Sequence, residues 1–98
     1  MSASKATLSE EELNALLLER PDWSLREGKL VRQWALKDFI EAMAFVNRVA
    51  ELAEQAQHHP DIDIRYNRVE LALVSHDAGG VTARDARMAR QLSAAFPA

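Results

Sequence analysis

Hydrophobic and polar positions along this chain switch repeatedly between a helical period and a two-residue period. The first helical stretch opens at Ser9, where Ser9 and Glu12 stand in the capping-box arrangement ahead of LNALLLER, and Pro21 closes it. Alternation then takes over. Trp23 to Arg26 and Leu30 to Leu36 read as strands around a tight turn at Glu27-Gly28. After Asp38, a weaker capping signal, Phe39, Met43, Val46, Val49 or Ala50, Ala53 and Ala56 recur at the spacing of one helix face. That helix ends near Gln57, because Pro60 lies just beyond it. Ile62 to Tyr66 and Val69 to His76 alternate again, around Asn67-Arg68. A last helix starts at Thr82, with Asp85 three residues on, and runs to about Ala95.

The order α-β-β-α-β-β-α predicts an α+β domain: a four-stranded, mainly antiparallel sheet with three helices on one face. Residues 1–8 are expected as a flexible N-terminal tail and residues 9–98 as a single domain. The polar start MSASKATLS has no apolar segment of the kind a secretory signal carries.

The second hairpin bears on the chemistry. A turn at Asn67-Arg68 pairs Tyr66 with Val69, Ile64 with Leu71 and Ile62 with Leu73, which places the apolar side chains on one face. Continued outward, the same register sets His59 opposite His76, with Cβ atoms about 4.5–5.5 Å apart. Pro60 interrupts the ladder at that point. His58 precedes His59 at the end of the second helix, so all three histidines of the chain converge.

Composition narrows what such a cluster can do. A formal charge of -3 gives no basic face for general nucleic-acid binding, so no direct nucleic-acid partner is expected. There is no cysteine to supply disulfides or thiolate ligands. No apolar run reaches the roughly 18 residues of a membrane span. A cytoplasmic protein with no membrane association is the expectation. A core built from 98 residues without cross-links is commonly supplemented by self-association.

Converging imidazoles suit proton transfer near neutral pH, where the ordinary pKa is about 6.5. A three-histidine metal site is the rival chemistry, but adjacent histidines rarely aim both rings at one ion, and no metal is expected. Each histidine also has a plain structural reading, as a helix-end or solvated group. Asp85 reads first as the acidic partner of the Thr82 cap, and it also stands near enough to orient an imidazole. Trp34 reads as core. Trp23, just after Pro21-Asp22, reads as core or as a stacking surface. Arg84, Arg87 and Arg90 form a solvated helical stripe with no assigned ligand.

The spacing Glu54, His58-His59-Pro60, Tyr66, His76, Asp85 resembles the signature of the pterin-4a-carbinolamine dehydratases. The LSEEELNALL start, PDWSL, KDFIEAMAFVNRVA and YNRVEL extend the likeness along nearly the whole chain. The resemblance implies a hydro-lyase, a 4a-hydroxytetrahydrobiopterin dehydratase. It would remove water from 4a-hydroxytetrahydropterin to give quinonoid dihydropterin, in cofactor recycling for aromatic amino acid hydroxylases, phenylalanine hydroxylase above all. It implies His58, His59, His76 and Asp85 as catalytic residues, with Glu54, His58 and Trp23 on the substrate. No cofactor is implied, because the pterin is the substrate. A homodimer or homotetramer is implied as well. The family also suggests an alternative, a non-catalytic dimerisation cofactor or regulatory module for a transcription factor. The alanine-rich face of the second helix (Ala42, Ala50, Ala53) is the candidate contact for that role.

Overall fold

The three capping signals become the three helices of a computed structural model that describes residues 6–97. Ser9 caps α1 (Glu10–Glu19): the Glu12 N–H donates to Ser9 Oγ at 3.1 Å, and the Ser9 N–H returns to Glu12 Oε1 at 2.8 Å. Asp38 accepts from the Glu41 N–H to open α2 (Phe39–Ala56). Thr82 and Asp85 form a second capping box at α3 (Ala83–Ala95). Between the helices lie β1 (Ser24–Arg26), β2 (Lys29–Ala35), β3 (Asp61–Arg65) and β4 (Arg68–Leu73). They form one antiparallel sheet in the order β1-β2-β4-β3. The α+β architecture expected from the periodicity is the observed one.

All three helices cover one face of the sheet. Leu30 and Trp34 of β2 and Val69, Leu71 and Leu73 of β4 are buried there. They join one core with Leu16 of α1, Phe45 and Val49 of α2, and Met88 and Leu92 of α3. The opposite face is polar and internally paired, through Arg26–Glu70, Lys29–Asp61 and Arg65–Asp63. Long-range hydrogen bonds fasten the end of α3 onto the core face. Trp23 Nε1 donates to Ser93 Oγ (2.8 Å), Arg32 to Ser93 Oγ and the Pro97 carbonyl, and Trp34 Nε1 to the Phe96 carbonyl (3.0 Å). No helix among the described residues is long and apolar enough to cross a membrane.

The β3–β4 register differs from the expected one by two residues. Arg65 pairs with Arg68, Ile64 with Val69 and Ile62 with Leu71, so the turn is Tyr66-Asn67. The cause is a contact far away in sequence. The Leu36 N–H donates to the Asn67 carbonyl at 2.7 Å, and Asn67 Nδ2 donates to the Leu36 carbonyl at 2.8 Å. These bonds continue the β2–β4 ladder by one residue and hold Asn67 in place, while Tyr66 takes the left-handed φ of 55°. A shift of two preserves which face each side chain occupies. Ile62 and Ile64 therefore still share the face of Leu71 and Val69, although on the edge strand they stay more than a third exposed.

Three other expectations change. α2 turns Ala42, Phe45, Val49 and Ala53 inward, while Phe39 is half exposed. Ala42 and Ala53 are thus core residues, not an exposed contact face. The Thr7–Thr82 bridge and the Leu8 N–H to Val81 carbonyl bond (2.8 Å) fix the chain from residue 7, inside the stretch expected as a tail. Residues 1–5 of that stretch, and residue 98 of the expected domain, lie outside the described residues. β4 stops at Leu73, so His76 stands in a loop and not on a strand.

Two arginines of the α3 stripe, Arg84 and Arg90, are paired. Arg90 makes two bonds to Glu19 at 2.8 and 3.0 Å, clamping α3 to α1. Those hydrogen bonds, with desolvation opposing them, hold the Glu19 carboxyl below its ordinary value. A carboxyl lowered by folding stabilises the fold above its unfolded pKa, and the contribution is lost as pH falls through the folded value. Glu19→Gln is therefore expected to lower the melting temperature slightly at pH 7 and to leave it unchanged in acid. Paired thermal melts at the two pH values check this. The effect is small because the pair is solvated.

Candidate active site

The end of α2 delivers two histidines by a backbone device. Gln57 takes a left-handed conformation (φ 54°, ψ 38°), its N–H bonds the Glu54 carbonyl, and the His58 N–H reaches back to the Ala53 carbonyl at 3.2 Å. This six-to-one closure is the Schellman arrangement. It turns the chain sharply after the helix, so His58 and His59 leave it in different directions. His58 Nε2 lies 2.5 Å from Asp85 Oδ1 in the first turn of α3. His59 Nε2 lies 2.6 Å from Glu54 Oε2, back on the last turn of α2. The first pair is nearly closed off from solvent, and the second is open.

His76 arrives by a tight loop after β4. The Ser75 N–H donates to the Gly80 carbonyl (2.9 Å), and the Ser75 carbonyl accepts from Ala78, Gly79 and Gly80. Gly79, at φ 75°, supplies the left-handed residue this closure needs. His76 is exposed, and among the described residues its ring has no hydrogen-bond partner.

Asp85 is the most enclosed polar group of the site, with no exposed surface. Its Oδ2 accepts from Ser75 Oγ and from the Thr82 N–H, each at 2.8 Å, while its Oδ1 faces His58. A carboxylate in this position is acceptor-only, so His58 Nε2 carries the donated proton and Nδ1 is left as the free ring nitrogen. The burial is acceptable because every oxygen of the group is satisfied.

His58, His59 and His76 line one depression of about 260 Å³, together with Ser75, Asp77 and Arg84 among others. Larger concavities exist, including one of about 470 Å³ on the polar face of the sheet. Several of that surface's charges already neutralise one another, whereas the histidine depression offers groups able to give and take protons. The convergence expected from sequence is therefore present, although not through His59–His76 strand pairing: the ladder ends at Asp61–Ala72. Glu54 and Asp85 each hold one of these histidines. Trp23 does not line the depression. It is 2% exposed, packs edge-on against Trp34 at 6.0 Å and bonds Ser93. Among the described residues, no three His, Asp or Glu side chains are arranged to hold one metal ion.

Sequence reasoning did not single out Ser75 or Asp77, and it read Arg84 as part of a solvated stripe, whereas Arg84 lines the depression. Arg84 Nη2 donates to Asp77 Oδ1 at 2.7 Å, a bond that raises the guanidinium above its ordinary value against the opposing cost of desolvation. Asp77 and Arg84 directly follow His76 and precede Asp85, respectively. That adjacency was the one available signal.

The residues gathered here fall within a match to the family model described as pterin 4 alpha carbinolamine dehydratase, which covers residues 6–95. A protein of Thermomicrobium roseum, provisionally named a pterin-4-alpha-carbinolamine dehydratase, is 57% identical over 88 residues. That alignment spans 90% of this chain and 95% of the relative. A Chloroflexus aurantiacus protein with the same provisional name is 58% identical over 82 residues, covering 84% and 88% of the two chains. Among solved structures, a transcriptional coactivator/pterin dehydratase from Brucella melitensis superposes with a TM-score of 0.83 at 37% identity, over 90% of this chain and 96% of that one. A pterin dehydratase-like RuBisCO assembly factor of the alpha-carboxysome, at 20% identity and a TM-score of 0.58 over 74% of this chain and 83% of its own, shares the fold. With a family match running from before α1 to the end of α3, and taking in every histidine and carboxyl of the depression, the chain belongs to the pterin-4-alpha-carbinolamine dehydratase family.

Proposed function

We propose that this chain removes water from a 4a-hydroxytetrahydropterin to give the quinonoid dihydropterin. The observation that carries the reading is the depression itself. Three imidazoles share it, two held by their own carboxyl groups and the third unpartnered among the described residues. Dehydration needs one group to give a proton and another to take one. The bond from carbon 4a to its hydroxyl oxygen breaks, and the oxygen leaves as water with a proton from an imidazolium. A base removes the proton from a pterin ring nitrogen, whose electron pair closes the new carbon–nitrogen double bond. No oxidant or reductant is required.

His59 and His76 share the two proton transfers. Both are exposed at the depression, so both can reach a substrate and exchange protons with solvent. His58, pinned to Asp85, presents a fixed ring and mainly binds. Glu54 steadies His59. The wider role is tetrahydropterin recycling for an aromatic amino acid hydroxylase. Stopped-flow decay of the 4a-hydroxypterin tests the proposal. The wild-type chain should accelerate it, and His59→Ala and His76→Ala should each lose about 10²–10⁴ of the rate. Near-wild-type turnover in both variants refutes the division of roles.

A second reading has one observation in its favour. Ile40 (78% exposed) and Phe39 (50%) stand at the start of α2, and a groove lined by Leu36, Phe45, Phe96 and Pro97 runs alongside the same helix. A partner-binding role through this surface is independent of the histidines. Triple alanine replacement of His58, His59 and His76 separates the two readings, because it abolishes dehydration and leaves such binding intact.

A further inference from the structure

Ser75 belongs to neither the capping box nor the histidines, yet it touches both. Its side chain is buried, with the residue 3% exposed, and a buried hydroxyl is tolerated only when its hydrogen bonds are made. Ser75 Oγ lies 2.8 Å from Asp85 Oδ2 and 2.8 Å from Thr82 Oγ1. The directions of these bonds follow from the acceptors. Asp85 Oδ2 can only accept, so Ser75 gives it the hydroxyl proton. Ser75 Oγ then accepts from the Thr82 hydroxyl, which in turn accepts from the Arg84 N–H at 3.2 Å. Every proton runs toward Asp85, and Asp85 holds His58.

A capping box is complete without such a residue. The Thr82 N–H already fills the reciprocal bond to Asp85. Ser75 comes from a different segment, ten residues earlier, and directly precedes His76. Its own peptide also closes the His76 loop, giving one bond to Gly80 and accepting three. One residue thus fixes the carboxyl that orients His58 and the loop base that carries His76.

We infer that Ser75 is a positioning residue that sets the two halves of the histidine site in register, acting through Asp85 on His58 and through its backbone on His76. This rests on the dehydratase reading and adds a residue that reading did not need. The test uses the full chain with Ser75→Ala and Ser75→Thr. Ser75→Ala is expected to raise KM about tenfold with kcat within about twofold, because the side chain it loses positions His58, the imidazole that mainly binds. The imidazole N–H resonance of His58, seen by 15N-edited NMR, should move or broaden in Ser75→Ala. Ser75→Thr, which restores the hydroxyl, should recover both. Ser75→Cys keeps the shape with a weaker donor and replaces Ser75→Ala in the comparison if the latter does not fold.

A wild-type KM with an unmoved His58 resonance in Ser75→Ala overturns the inference. So does equal loss in the alanine and threonine variants, which would mark a purely spatial role. If the wild-type chain fails to dehydrate the pterin, the functional reading falls, and the NMR comparison alone still decides whether Ser75 holds the Asp85–His58 pair.

Discussion

Asp85→Asn is expected to cut kcat/KM for dehydration by about one to two orders of magnitude, mainly through KM, while leaving the fold in place. The replacement is isosteric, and its effect follows from which oxygen can be exchanged for an amide nitrogen. At the Oδ2 position the Thr82 backbone N–H and the Ser75 hydroxyl both donate. A backbone N–H cannot reverse, so the amide oxygen of Asn must take that place and its NH2 must face His58. His58 Nε2 then meets a donor and must become an acceptor, which moves its proton to Nδ1. The ring stays where it was with its tautomer inverted, so Nδ1, the free nitrogen in the wild type, now carries the proton and can no longer accept a hydrogen bond. Two measurements check this. Stopped-flow turnover should fall steeply at low pterin and recover toward saturation, and the thermal melt should remain close to wild type because the helix cap keeps its oxygen. An unchanged KM would mean that His58 orientation plays no part in holding the substrate.

Trp34→Ala carries the largest expected cost in stability, about 3–5 kcal/mol. Trp34 is 2% exposed and sits at the middle of an aromatic chain, 6.0 Å from Trp23 and 5.0 Å from Phe45, with Phe96 4.9 Å beyond Phe45. Its removal leaves a cavity and two further losses. The Phe96 carbonyl loses its indole donor, and the Arg32 guanidinium loses the ring it lies over at 4.3 Å. Domains of this size are stable by about 5–15 kcal/mol in total, so the variant should be marginal at 25 °C. Urea unfolding should show a midpoint shifted far toward zero, and Trp34→Phe should recover most of it by refilling the space. A small shift for Trp34→Ala would mean that the core collapses around the gap.

What the sequence disclosed was the local part of the structure. The Ser9–Glu12, Asp38–Glu41 and Thr82–Asp85 signals each lie within three residues, so the same residues that announce the helices also make the bonds. The β3–β4 register was not legible, because Leu36 decides it from 31 residues away. The inward face of α2 was legible at Val49 and Ala53 but misread at its start, for a related reason. Apolar residues surround much of that helix, and docking against the sheet selects Ala42 and Phe45 over Phe39. The histidine cluster was legible as a cluster but not as a geometry. The His59–His76 strand pairing was replaced by two backbone devices, the left-handed turn at Gln57 and the loop closed on Ser75. The Trp23 side chain is committed to Ser93, 70 residues on, a partner that nothing around Pro21 or Asp22 reveals.

The double duty of Asp85 changes how relatives of this chain should be compared. Its carboxyl closes the cap of α3 whether or not any pterin is ever bound. A lineage that abandoned catalysis would keep this aspartate for the sake of its helix, and would shed His59 and His76 first. The two exposed imidazoles are therefore the informative markers of a working enzyme, because Asp85 has a reason to stay in either case.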